Sequence, residues 1–323
     1  MTQATSRWGL TVPLDGIPFP DQRRIVEELP DLGYTDVWSS EAGAADAFTP
    51  LALASVWAPT LRLGTAIVPV YTRGPATLAM SAATLASAAP GRFALGVGTS
   101  SDVIVGRWNG IAFDEPYKRA RDTLRFLKSA LAGEKVTHEY DTFTVDGFRA
   151  GLVADPVPPV LLAALRPGML RLAGREADGA IVNWLSADDV RTVAPYVHDG
   201  GDGKEIVARI FVLPGFDTDT ARAVGRRMIA SYMNVPVYRA FHEFLGRSEE
   251  FDGMWRLWAE GDRAGALDAI PDRVVDDLVV HGSPDECREH LERYAEAGIT
   301  TPVIALLAPG DPAPMIRALA PRR

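Results

Sequence analysis

Short apolar runs alternate with amphipathic stretches along almost the whole chain. Leu61 to Val68 is a β-prone apolar run. Pro75 to Ala88 spaces its apolar residues three and four apart behind a helix-starting proline, and Phe93 to Val97 is apolar again. The pattern predicts a strand, a helix and a second strand, with both strands buried on two faces as in a parallel sheet. The same alternation predicts further strands at Trp8 to Pro13, Thr35 to Ser39, Val160 to Ala164, Gly179 to Asn183, Ile206 to Leu213 and Pro302 to Leu307. Helices are predicted at Asp21 to Leu32, Thr49 to Ala58, Glu115 to Ala132, Pro167 to Glu176, Ala187 to Val197, from about Thr218, and from Pro284 to Ala297. Gly33 and Gly298 stand where helices end in a left-handed residue, and Ser186 with Asp189 and Ser283 with Glu286 form capping boxes.

Eight strands separated by helices, in a chain somewhat longer than the typical ~250 residues, predict a (β/α)8 TIM barrel with insertions. An open doubly wound sheet is the competing architecture. The barrel is preferred because strands run from Gly9 to Leu307 with no linker or shift of composition to divide two domains. A single domain spanning 1–323 is therefore expected, with insertions at about 98–113, 133–159 and 232–270. The first is long for a strand–helix connection, and the second reads as a small hairpin. The third holds Tyr232, Tyr238, Phe241, Phe244, Phe251, Trp255 and Trp258. It is either a packed helical insertion, an oligomer contact, or a lid over a substrate pocket.

Composition narrows the function. The chain has 323 residues, 47% hydrophobic, with a formal charge of −9 and a pI near 5.1. No basic block offers a nucleic-acid footprint. No basic-then-apolar start resembles a signal peptide, and no apolar stretch reaches the ~20 residues of a membrane span. A soluble, cytoplasmic protein is expected. The single cysteine, Cys287, excludes an internal disulfide and a multi-thiolate metal centre.

A barrel places its chemistry at the C-terminal ends of its strands. The candidates there are Glu41, Tyr71, Thr72, Arg73, Gly98 to Ser101, Arg107, Trp108, Arg166, Asn183, Trp184 and the loop after Leu213. No histidine is predicted at a strand end or at metal-ligand spacing, so a metal site is not expected. No G-x-S-x-G elbow is present, and no second strand-end acid joins Glu41 for glycoside chemistry. The run GVGTSS starts like a dinucleotide fingerprint but has Ser101 where the third glycine belongs. Glycines, aromatics and arginines with few acid/base groups suit an organic cofactor that supplies the chemistry while the protein positions it.

The run LRLGTAIVPVYTRGPATLAMSAATLASAAPGRFALGVGTSS, then GRWNGIAFDEP, LLAALRPGMLRLAGREADGAIVNW and HGSPDECREHLERYAEAGITTPVI, resembles the bacterial luciferase-like oxidoreductases. It is most similar to their branch that uses coenzyme F420, a deazaflavin, and the resemblance covers nearly all of the chain outside 232–270. It implies a (β/α)8 barrel whose cofactor ring lies against a bulge after the third strand, often with a non-prolyl cis peptide, which would fall at Val68, Pro69 and Val70. It further implies cofactor contacts at Gly98, Thr99 and Ser100, at Ala163, Ala164, Leu165, Arg166, Pro167 and Gly168, and at Asn183. Backbone N–H groups at the start of the Pro167 helix can receive a phosphate, with Arg166 beside them. Tyr71, Arg73, Trp108, Trp184 and Trp255 are the candidates for the substrate pocket. Glu41 is the catalytic candidate; it either bonds the cofactor ring, serves as acid or base, or pairs with a strand-end arginine. Sugar-phosphate dehydrogenases of the family carry an acid followed by histidine after the second strand and a glutamate after the fourth. Here Glu41-Ala42 and Ser101 stand there, so that activity is not carried over. The resemblance implies an F420-dependent oxidoreductase moving hydride to or from a small organic substrate, working as a homodimer. The alternatives are an FMN-dependent monooxygenase of the same fold and a cofactor-binding protein without turnover.

Overall fold

The computed structural model describes residues 7–201, 203–308 and 310–322. All eight expected strands form, as β1 (Gly9–Thr11), β2 (Asp36–Ser39), β3 (Arg62–Thr65), β4 (Phe93–Gly98), β5 (Val160–Ala163), β6 (Gly179–Asn183), β7 (Glu205–Pro214) and β8 (Thr301–Leu306). Each pairs in parallel with the next and β8 pairs with β1, so the sheet closes into a barrel. Around it run α1 (Phe19–Leu32), α2 (Phe48–Trp57), α3 (Pro75–Ala88), α4 (Pro116–Leu131), α5 (Pro167–Glu176), α6 (Ala187–His198) and α7 (Thr218–Met233). Both capping boxes are present, and Gly33 ends α1 in the left-handed region at φ 96°.

Alternation along the strands explains why they read as unbroken apolar runs. Leu10, Val37, Leu63, Leu95, Leu162, Val182, Ala208 and Ile304 face the helices, while Trp38, Ala94, Leu161, Ile181, Val207 and Val303 pack on one another inside the barrel. Trp38 fills this inner layer because Gly64 yields to it: a Cβ there would stand 2.2 Å from the indole ring. Two residues toward the strand N-termini, the inner positions become ionic. Arg62 binds Glu205 through two hydrogen bonds of 2.6 and 2.7 Å and reaches Asp36 at 3.3 Å, which closes the barrel floor. Two residues toward the C-termini, the inner positions are Thr11, Ser40, Gly96, Ala163, Asn183, Arg209 and Ala305, and these form the mouth.

Three segments interrupt the alternation of strands and helices. Residues 98–113 contain a π-helical turn, Val103–Trp108, and 133–159 contain an antiparallel hairpin of Val136–Glu139 and Thr144–Phe148. Residues 232–270 form α8 (Pro236–Phe244), α9 (Ser248–Glu260) and α10 (Arg263–Asp268). Four elements were not expected. They are α11 (Asp272–Leu278), a strand Val280–Gly282 on the end of β7, a two-residue strand Val68–Pro69 beside β4, and α13 (Ala313–Ala318), which follows α12 (Pro284–Ala297). The helices of 232–270 share a core with the barrel mouth, in which Phe251, Met254 and Trp255 pack with Trp184, Phe211, Leu213 and Ala305. Arg247, between α8 and α9, ion-pairs with Asp189 of α6 at 2.7 Å and donates to Ser186 Oγ at 3.3 Å. The insertion is thus a packed roof tied to the barrel. No helix among the described residues is long and apolar enough to cross a membrane.

His242 of α8 is fully buried among Phe241, Phe251 and Arg247. Burial, reinforced by the Arg247 charge, pulls its imidazole from 6.5 down to about 3. The unfolded chain takes up this proton before the folded chain does, so stability is complete above about pH 6.5 and falls as acid approaches the folded value. Urea unfolding should show the wild type losing about 2 kcal/mol more than His242→Phe between pH 6.5 and pH 5. Equal losses in the two proteins would contradict a neutral buried imidazole.

Candidate active site at the barrel mouth

The cradle starts where β3 ends. Ala66 N–H donates to Ser39 O at 2.6 Å, Ile67 O accepts from Glu41 N–H at 3.1 Å, and the Ala66–Ile67 peptide between them is cis. The bulge therefore lies two residues before the expected Val68, Pro69 and Val70. Those three instead run along β4, with Val68 opposite Val97, Pro69 opposite Gly98, and Val70 N–H bonded to Gly98 O at 2.9 Å. The physical reason is burial: Val68 and Val70 turn into the helix-facing core at 0% and 1% exposure, so the segment is held as a strand. Ala66 and Ile67, which line the mouth, were missed because nothing in an uninterrupted apolar run marks a peptide isomer.

Beside Ile67 the end of β4 stays flat. A Cβ on Gly98 would lie 2.7 Å from Ala163 Cβ and 3.2 Å from Ile67 Cγ1, so only glycine lets these three elements close up. Ser100 then turns the chain in the left-handed region at φ 62°, with Thr99 half-buried beside it. After β5, Ala164 N–H donates to Ile181 O at 3.0 Å and Leu165 packs against the core, so the chain leaves the barrel at Arg166. Arg166 is the extended N-cap of α5 and makes no side-chain cap bond; Pro167 follows at the first helical position. The N–H groups of Gly168 and Met169 in that first turn have no helical acceptor. The nearest atom to a Cβ on Gly168 would be Tyr117 Cε2 at 4.0 Å, and Arg166 is exposed with no ion pair among the described residues. This first turn is open, with backbone N–H groups of the kind that can receive an anion and a free guanidinium beside them.

Several expected groups are already engaged. Glu41 Oε1 accepts from Arg73 Nη2 at 2.8 Å, Arg73 Nε at 3.2 Å and Ala47 N–H at 3.3 Å, so Glu41 and Arg73 pair with each other and order the loop into α2. Tyr71 donates to Asp114 O at 2.6 Å, lies under Arg119, and is buried, which pushes its phenol up to about 12. It anchors the end of the first insertion instead of facing open space. Trp108 is 60% exposed and leans toward Gly43, whose Cβ would stand 3.2 Å from its ring. Asn183 Oδ1 holds Trp184 N–H at 2.9 Å, and Trp184 takes φ 55° with its ring buried on Phe211 and Tyr232. Trp255 is buried in the roof, its indole N–H bonded to Met233 O at 2.9 Å. Trp184 and Trp255 thus support the wall from behind.

The open space lies across the mouth from the cradle. A cavity of about 250 Å³ between β1, β2, β7, β8 and α7 is lined by Thr11, Ser40, Arg209, Phe211, Met228 and Tyr232, among others. A larger hollow lies between α1 and the C-terminal segment, lined by Arg23, Arg24, Glu27 and Glu28, and includes none of the inner residues of the barrel mouth. Arg209 and Phe211 were not among the expected site residues, and Tyr232 was named only within the possible lid of 232–270. A lone cation inside the otherwise apolar run IVARIFVLP was the available signal. Among the described residues, no three His, Cys, Asp or Glu side chains are grouped to hold a metal ion.

Comparison with known proteins fits this architecture. A Mycobacterium tuberculosis protein provisionally assigned as a coenzyme F420-dependent oxidoreductase is 28% identical over 322 residues, covering 89% of this chain and 91% of the other. The F420-dependent glucose-6-phosphate dehydrogenase of Rhodococcus hoagii is 27% identical over 287 residues, covering 80% of each chain. The solved coenzyme F420-dependent tetrahydromethanopterin reductase of Methanopyrus kandleri superposes with a TM-score of 0.79 at 20% identity, covering 98% of this chain and 97% of that one. The profile of luciferase-like monooxygenases matches residues 2–301, and the chain belongs to that family.

Proposed function

We propose that this protein is a coenzyme F420-dependent oxidoreductase that moves hydride between the cofactor and a small organic substrate. The observation that carries the reading is the continuous cradle from Ile67 past Gly98 and Ala163 to the open first turn of α5, with Arg166 free beside it. A flat ring fits where Gly98 keeps the floor clear, and an anionic tail fits the N–H groups of Gly168 and Met169. The relatives named for F420 support the same choice of cofactor. When bound, coenzyme F420 supplies two-electron hydride transfer at a ring carbon.

The chain's own residues position that chemistry. Ile67 and Ala163 flank the ring site, the backbone of Gly98, Thr99 and Ser100 turns around its edge, and Arg166 with α5 fixes the tail. Glu41, held by Arg73 and Ala47, shapes the rim. Phe211 and Tyr232, backed by Trp184, give the far side of the mouth an apolar wall. Sugar-phosphate oxidation is not assigned, because Ala42 and Ser101 stand where that chemistry uses histidine and glutamate. Homodimerisation is supported by the outer faces of α2 and α3, where Ala52, Val56, Thr77, Met80, Thr84 and Ala88 are exposed without a charge among them.

Arg166→Ala tests the cradle. Loss of one charged hydrogen bond to a phosphate should weaken oxidised F420 binding by about 1.5–3 kcal/mol, roughly 10- to 100-fold, by fluorescence titration. An unchanged dissociation constant would remove Arg166 from the site.

A further inference from the structure

The cavity opposite the cradle holds a cation with nothing to neutralise it. Arg209 sits on the inner face of β7, paired in register with Asn183 of β6 and Val303 of β8. No described carboxylate comes within ion-pair distance of it, and none of its nitrogens has a hydrogen-bond partner. Its Nε is buried, and its guanidinium carbon lies 4.7 Å from the centre of the Phe211 ring. Arg62, at the barrel floor, differs: it is locked between Asp36 and Glu205. Thr11 Oγ1, on the same cavity wall, is also buried and without a partner. Among the described residues, the only acid lining the cavity is Asp15, which is exposed.

A half-buried guanidinium is costly to leave unpaired, and a planar fork with free N–H groups matches an oxyanion. We propose that Arg209 selects the substrate: it anchors a compact oxyanion, carboxylate or phosphate, carried on an apolar body that lies against Phe211, Met228 and Tyr232, while Thr11 donates a further hydrogen bond. The inference rests on the oxidoreductase reading for what happens to that substrate, but not for its recognition. Arg209 stands on β7, in a cavity bounded by strands seven, eight, one and two of the mouth, whereas the cradle is on strands three, four and five. The anchor therefore holds one end of the substrate across the mouth from the ring site.

The test uses three ligands of similar size: benzoate, phenyl phosphate and neutral benzamide. Each is titrated calorimetrically into the full-length protein, with and without saturating oxidised F420. At least one of the two anions should bind tenfold or more tightly than benzamide, and Arg209→Gln should erase the preference while Arg209→Lys keeps part of it. F420 affinity should be the same in all three proteins. Whichever anion binds more tightly names the headgroup. Equal binding of anion and amide by the wild type, no saturable binding of either anion, or a preference that survives Arg209→Gln would each overturn the proposal. Failure of F420 to bind would overturn the oxidoreductase reading alone, because the anion comparison also runs on the cofactor-free protein. Should Arg209→Gln fail to fold, the wild-type comparison and Arg209→Lys still decide.

Discussion

Arg62→Ala should cost the protein about 3–5 kcal/mol of stability, seen as a lower urea midpoint at neutral pH. Arg62 stands between two carboxylates at the closed end of the barrel, with Asp36 fully buried and Glu205 at 18% side-chain exposure. Removing it leaves both acids inside with only Thr35, Thr301 and the more distant Arg7 for company. The pH dependence gives a second readout. Burial pushes the Glu205 carboxyl up, but the hydrogen bonds and charge of Arg62 outweigh this and hold it below its usual range. In the wild type that contribution is present above the ordinary carboxylate range and is lost as pH falls through the folded value. In Arg62→Ala the upward push of burial is opposed only by the Thr301 hydrogen bond and the distant Arg7, so the folded state binds the proton more tightly than the wild type does and the variant should lose less stability as pH falls. Arg62→Lys should lose less, since it keeps the charge and forfeits the two-pronged bond. A loss below about 1 kcal/mol, or an unchanged acid slope, would contradict this account of the barrel floor.

Arg247→Met should be comparably damaging at the other end of the barrel, again by about 3–5 kcal/mol. Its guanidinium joins Asp189 at 2.7 Å, Ser186 at 3.3 Å and Glu250 at 3.7 Å, and the Arg247 and Asp189 side chains are only 11% and 10% exposed. Methionine preserves the apolar stem and isolates the lost charge. Because Asp189 and Ser186 also cap α6, the loss should spread: amide exchange in α8, α9 and α10 should quicken together with that of the α6 first turn. Exchange confined to α8–α10, with global stability unchanged, would make the insertion a separately opening lid, contrary to the packed roof described here.

Much of the fold was legible because its physics is local. Strands buried on both faces must be continuously apolar, and helix ends advertise themselves through Ser186, Ser283 and Gly33. Short or late elements were not legible: Val280–Gly282 exists only because β7 extends beyond the barrel and offers an edge. The mouth was harder still. The apolar run of the third strand continues to Val68, which put the bulge implied by the resemblance at Val68 to Val70. Those residues are instead held as a strand by the burial of Val68 and Val70, and the bulge lies at Ala66 and Ile67. Trp184 and Trp255 looked like pocket walls from their chemistry, but which side of an aromatic cluster faces open space depends on the insertion's packing. Arg209 was the reverse case. Its position two residues from Val207 and four from Glu205 on one strand face places it inside, a conclusion that needed the register of β7.

The central claim is the identity of the cofactor, and the most direct measurement is a fluorescence titration of the purified protein with oxidised coenzyme F420 and with FMN at one salt concentration. The account predicts micromolar or tighter binding of F420 and much weaker binding of FMN, with the difference shrinking in Arg166→Ala because the anionic tail loses its anchor. FMN bound as tightly as F420 or more so would contradict it, and would move this barrel to the oxygen-using chemistry of the wider family.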